Sequence, residues 1–136
     1  MTPSNITLHK QSKQLELRYA GASTANSSER IGTEETYRLS CEFLRVHSPS
    51  AEVKGHGHGQ EVLQYGKADV GITNITPCGN YAIQLSFTDG HDTGIYSWDY
   101  LYSLCQNQES MWQEYLERLH AAGKSREPDT QVVQIF

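Results

Sequence analysis

The sequence predicts an α+β domain: a small, mainly antiparallel sheet with two to three helices packed on one face. Three observations carry that prediction. Two stretches, "QLELRY" and "NYAIQLSFTDG", alternate apolar and polar residues with the period of a strand. The C-terminal third instead repeats apolar residues at helical spacing. The chain of 136 residues has the length of one domain with a modest core.

The elements follow in order. Ile6–Lys10 and Gln14–Tyr19 form a hairpin around Gln11-Ser12-Lys13, turning Ile6, Leu8, Leu15, Leu17 and Tyr19 toward a core. Ala20–Thr36 is rich in Ser, Thr, Ala and Gly without periodicity and reads as a loop. Leu39–Ser48 reads as a short helix. Ser40 caps it, Glu42 stands in its first turn, and Leu39, Phe43, Leu44 and Val46 form its buried side. Pro49 ends it, because the residue before a proline is pushed out of helical geometry.

"DVGITNITP" and "NYAIQLSFTDG" are two strands joined through Pro77-Cys78-Gly79, with Tyr81, Ile83, Leu85 and Phe87 on one face. Asp89-Gly90 is a turn. Ser97 then caps a helix that places Trp98, Leu101, Tyr102 and Cys105 along one side. The last helix carries Met111, Trp112, Tyr115, Leu116 and Leu119 as a stripe and stops at Gly123. One domain therefore spans residues 1–123, with a core over about 6–104, an added helix over 107–122 and a flexible tail over 124–136. About four to six strands are expected.

Composition narrows the function classes. Hydrophobic residues are 37% and charged residues 20%, the balance of a folded domain. A net charge of −5 provides no field for nucleic acid. No apolar run reaches membrane-span length, and the N-terminus has no signal-peptide core. The three cysteines, Cys41, Cys78 and Cys105, are too scattered for a disulfide framework, so a reducing cytoplasm is expected.

Few residues point to chemistry. In "KGHGHGQ", His56 and His58 stand two apart and point to one side if the segment is extended. A zinc site wants about four ligands, so this pair needs His47, His91 or a cysteine from elsewhere. The same run is no phosphate cradle, since neither a Lys-Ser nor a Lys-Thr pair follows its glycines. "DGHDTG" groups Asp89, His91 and Asp92, either as turn chemistry or as the centre of a small hydrolase or isomerase. No base stands beside Cys78 or Cys105 to make a nucleophile of either. Tyr96, Tyr100 and Trp112 are aromatics with a polar edge and suit a protein interface.

The residues "LRVHSPSAEVKGHG" and "GNYAIQLSFTDGHDTGIYSWDYL" resemble the gamma-butyrobetaine hydroxylase-like N-terminal domain, over roughly Ile6 to Leu104. Leu44-Arg45, Ser48–Val53, Gly79–Ala82 and Asp89–Tyr96 carry the likeness, which is to the short stand-alone bacterial members. In oxygenases bearing this domain, the resemblance implies a zinc held by three cysteines after the Leu-Arg pair and by one later histidine. Here Val46-His47-Ser48-Pro49-Ser50 follows that pair without a cysteine, Cys41 precedes it, and only His91 matches a ligand position. The zinc is therefore not carried over. Oxygenase catalysis belongs to a separate jelly-roll domain, for which the tail is too short. The resemblance also implies association with iron–sulfur assembly ATPases.

The resulting expectation is a non-enzymatic accessory module, without a cofactor, that binds a protein partner or itself. Its surface centres on Tyr96, Trp98, Tyr100, Arg45 and Glu52. The alternative is a protein of iron or iron–sulfur handling that binds zinc or iron through His56, His58, His91 and His47.

Overall fold

The computed structural model describes residues 1–20, 34–55, 59 and 61–128. Its element order is β1 (Asn5–His9), β2 (Gln14–Tyr19), β3 (Glu35–Ser40), α1 (Cys41–Val46), α2 (Ala51–Lys54), β4 (Ile72–Cys78), β5 (Ala82–Phe87), β6 (Gly94–Ser97), α3 (Trp98–Gln106) and α4 (Gln108–Ala122). The class is α+β. The strands divide into two antiparallel three-stranded sheets, β1-β2-β3 and β4-β5-β6, and the described residues form four helices.

The alternating stretches do what their period dictates. Ile6 lies opposite Leu17 and Leu8 opposite Leu15 across the first hairpin. Leu15, Leu17 and Tyr19 are fully buried. Lys13 makes the turn with a positive φ of 55°. Its carbonyl accepts from the Cys41 amide and its ammonium donates to the Asp69 carbonyl, so the turn anchors α1 and the approach to β4. Glu35 and Thr36, read as loop, and Leu39, read as helix, belong to β3, where Tyr37 faces Leu17 and Leu39 faces Leu15. The helix begins at Cys41, and Ser40 accepts from the Phe43 amide as its cap.

In the second sheet, Ile83, Leu85 and Phe87 are buried. Tyr81 is not: it is 63% exposed, because residues 78–81 make a turn and β5 starts only at Ala82. β6 pairs Tyr96 with Ile83 and therefore turns the Tyr96 ring inward. One core cluster unites the inner faces of both sheets with Cys41, Phe43 and Leu44 of α1 and Leu101, Leu104 and Cys105 of α3. Tyr115 and Leu119 of α4 close a smaller cluster on Val46.

The first residues of the stretch expected as a flexible tail pack on the domain. Past Gly123, which takes the left-handed conformation of a helix stop, the chain lies back along residues 66–68. The Gly66 and Ala68 amides donate to the carbonyls of Ser125 and Arg126. Arg126 forms two hydrogen bonds to the buried Glu42 carboxylate, at 2.8 and 2.7 Å, and lies over the Trp112 ring. Residues 129–136 lie outside the described residues.

Candidate functional site

Two polar assemblies meet where α1 ends. In the first, the loop from α1 into α2 is fastened to the β5–β6 turn. Ser48 Oγ lies 2.9 Å from His91 Nε2, and His91 Nδ1 lies 3.3 Å from Glu52 Oε2. A carboxylate only accepts, so Nδ1 carries the proton and Nε2 of the neutral ring accepts from the Ser48 hydroxyl. Ser48 Oγ in turn accepts from the Ser50 amide. Ser50 Oγ meets Thr93 Oγ1 at 2.8 Å, and Thr93 donates to Glu52. Beside it, Asp89 takes Arg45 at 2.9 Å and Lys67 at 2.6 Å, while its other oxygen accepts from the His91 amide.

These contacts set the titration behaviour. Burial holds the His91 imidazole below the ordinary histidine range, with help from the Arg45 guanidinium and against the pull of Glu52 and Asp89. Burial also depresses His47, against its bond to the Phe43 carbonyl. For Asp89, burial opposes ionisation, but the Lys67 ammonium, the His91 amide and Arg45 outweigh it, and its carboxyl sits below the usual value.

Both histidines regain a pKa near 6.5 on unfolding, so below that pH the unfolded chain binds more protons and stability falls. Asp89 acts in a lower window: its contribution is present above its unfolded value near 3.8 and lost as pH falls through the depressed folded one. Thermal melts should show a plateau above about pH 7, a decline between about pH 6.5 and 5, and a further loss below about pH 4. A melting temperature unchanged between about pH 7 and 5 would contradict this account.

The order Ser–His–Glu has the connectivity of a nucleophile, base and orienting acid. Its surroundings differ. Ser48 is 1% exposed, and a Cβ placed on Gly94 would stand 2.5 Å from Ser48 Oγ. The β6 backbone thus lies against the hydroxyl. Asp92, paired with His91 in the sequence reading, contributes its backbone carbonyl to the Gln84 amide group instead. His91 is buried rather than at a solvated turn tip, and it does not line the cleft described next.

The second assembly is that cleft, ≈ 130 Å³ in volume, between α2, the segment 61–64, α3 and α4. Val46, Val53, Val62, Leu63, Tyr100 and Tyr115 give it apolar walls. The Tyr100 hydroxyl donates to the His47 carbonyl at 2.6 Å, and the Tyr115 hydroxyl donates to the Gln64 carbonyl at 2.7 Å. Burial pushes both phenols up to about 12. Lys54 and Arg118 add cations at the rim.

Other sequence-chosen residues disperse. Tyr96 is fully buried and its hydroxyl donates to the Leu44 carbonyl; the ring expected at an interface is core, because its strand pairs it with Ile83. Arg45 is buried in its ion pair with Asp89, whereas Glu52 is exposed. Trp98 is half-buried and donates to the Asn80 carbonyl, away from the cleft. Trp112 packs against Phe43 and Tyr115. His56 and His58 lie outside the described residues. Among the described residues no three His, Cys, Asp or Glu side chains form a metal-holding group. Sequence reasoning gave Ser48 and Thr93 no chemical role, though both lie in segments that carry the family likeness, and it missed Gln64 and Arg118, the latter looking like any solvated helix cation.

The family model described as gamma-butyrobetaine hydroxylase-like, N-terminal, matches residues 6–102 of the chain. The chain belongs to this family. Two solved structures, both NMR solution structures, are 51% and 47% identical to it, with TM-scores of 0.74 and 0.70. Each alignment covers 99% of this chain, and 97% and 92% of the other chain. A crystal structure of a protein with unknown function of the DUF971 family, from Acidithiobacillus ferrooxidans, is 33% identical with a TM-score of 0.53, covering 76% of this chain and 91% of that one. No curated protein is matched.

The zinc that the gamma-butyrobetaine hydroxylase-like N-terminal family implies can be tested against the donors present. Among the described residues, two serine hydroxyls, a threonine hydroxyl, the solvent-exposed Glu52 carboxylate and the Asp89 carboxylate held by Arg45 and Lys67 stand around His91, and both ring nitrogens already have partners. Neutral hydroxyls are poor zinc ligands beside thiolate and imidazole. The donor set does not fit the ion, and the hydrogen bonds occupy the positions that ligation would need.

Proposed function

We propose that this gamma-butyrobetaine hydroxylase-like N-terminal domain is a non-enzymatic accessory module that docks a protein partner, or a second copy of itself, at the cleft beside α2. One observation carries the reading. Of the residues expected at a binding surface, Tyr100 reaches this cleft, where its hydroxyl bonds to the His47 carbonyl and Lys54 lies over its ring at 4.8 Å, while Tyr96, Trp98, Arg45 and Glu52 do not line it. Apolar walls with a cationic rim suit recognition of a side chain, and the one nucleophile-like serine is sealed against β6. The reading requires no resident cofactor. Its free thiols, Cys41, Cys78 and Cys105, are in keeping with a reducing compartment such as the cytoplasm, and no described helix is long and apolar enough to cross a membrane.

A photo-crosslinking residue at Val62, 52% exposed on the cleft rim, should yield a discrete adduct with a partner or a second copy. The same residue at Tyr81 should not, and Lys54→Glu should reduce the Val62 adduct severalfold. Identical products from both positions, or none from Val62, would refute the docking reading.

A further inference from the structure

The chemistry of the cleft narrows what a partner presents to it. His47 is nine-tenths buried in the cleft lining, its ring packed between Phe43 and Tyr115. Its Nδ1 lies 2.9 Å from the Phe43 carbonyl and must donate to it. Burial disfavours the charged ring, so Nε2 serves as an acceptor; no hydrogen bond joins it to another described residue, and it is not among the buried polar atoms left unpaired. Such an acceptor in the cleft lining can take a donor N–H or O–H from a bound ligand in place of water.

The rim adds charge. Lys54 and Arg118 form no ion pair among the described residues. Glu61, the acidic residue of the lining, already has a partner. Glu114 lies close enough to influence His47, with Arg118 one turn further along α4 acting in the opposite sense. The charged side chains of the lining are two cations, Lys54 and Arg118, and one anion, Glu61, an excess of positive charge that complements carboxylates.

Building on the docking reading above, we infer that the cleft takes an acidic peptide segment of a partner protein with a single aliphatic or aromatic anchor. The anchor side chain fills the ≈ 130 Å³ between Val46, Val53, Leu63 and Tyr115. A backbone N–H of the peptide donates to His47 Nε2. Flanking carboxylates meet Lys54 and Arg118.

The test titrates isotope-labelled full chain with three probes: a short peptide with one leucine between glutamates, the same peptide with lysines, and free 4-methylpentanoate. The glutamate peptide should shift the amide resonances of Val46, Val53 and Leu63. Arg118→Glu should weaken it about tenfold, and so should high salt. His47→Phe, which keeps a ring between Phe43 and Tyr115 while removing the acceptor, should weaken it as well. Should that variant fail to fold, the surface change Lys54→Glu takes its place. Equal binding of the lysine peptide, or unchanged affinity in Arg118→Glu, overturns the acidic assignment and leaves docking intact. Equal affinity for 4-methylpentanoate overturns the peptide in favour of a small acid. Cleft resonances unmoved by every probe overturn the inference and count against docking there as well.

Discussion

Replacing Tyr96 with alanine should destabilise the domain by about 3–5 kcal/mol, the cost of emptying a large aromatic site in a packed core. The ring is fully buried, in van der Waals reach of Gly94 and paired across the sheet with Ile83. Its hydroxyl donates to the Leu44 carbonyl, one of the links between α1 and the second sheet. Tyr96→Phe isolates that link. It keeps the ring and leaves a buried carbonyl unpaired, for a cost of about 1–2 kcal/mol. Urea denaturation of the three proteins checks both values. A loss under about 1 kcal/mol for the alanine variant would mean that the ring is not core.

Arg126→Ala should cost about 2–3 kcal/mol. Removing one partner of a buried ion pair costs about 3–5 kcal/mol, because the remaining charge is left uncompensated. Here the Arg126 side chain is 44% exposed, and solvent screening reduces the figure. The Glu42 carboxylate beneath it is only 5% exposed. Arg126→Ala combined with Glu42→Leu should recover part of the loss, since no buried charge then remains. Should Arg126→Ala melt with the parent protein, the segment past Gly123 would have no part in holding α1. The same pair draws the chain back along residues 66–68, so its loss should also raise hydrogen exchange at the Gly66 and Ala68 amides.

Parts of this fold are plain in the sequence because short-range physics dictates them. The hairpin from Ile6 to Tyr19 needs only alternation and a turn. The Ser40 and Ser97 caps and the Gly123 stop are local backbone chemistry, and all three sit where expected. Other parts depend on partners far along the chain. β3 has one buried apolar residue, Leu39, and follows a Ser/Thr-rich stretch, so only its pairing with β2 makes it a strand. β6 is four residues long, too short for alternation to show, and missing it placed Tyr96 on the surface. Tyr81 fits the alternation of β5 and yet belongs to the preceding turn, because a period does not mark where a strand begins.

The candidate site is legible in halves. Sequence reasoning chose Tyr100 and the segment through Glu52, and folding brings Tyr100 to Lys54 and His47. It had no means to add Leu63, Tyr115 or Arg118, which lie on other segments of the chain and reach the cleft only on folding. It also read Arg45 as an interface residue, whereas Asp89 claims it from the next sheet.

The fastening of Ser48 to His91 has a consequence for the conditions this domain tolerates. In a thiolate–metal clasp, cohesion depends on metal supply and is open to oxidants and chelators. A hydroxyl and an imidazole have neither vulnerability. The Ser48–His91 contact in the join between the α1 segment and the second sheet therefore draws on neither thiol nor metal, and it weakens as acid protonates the imidazole.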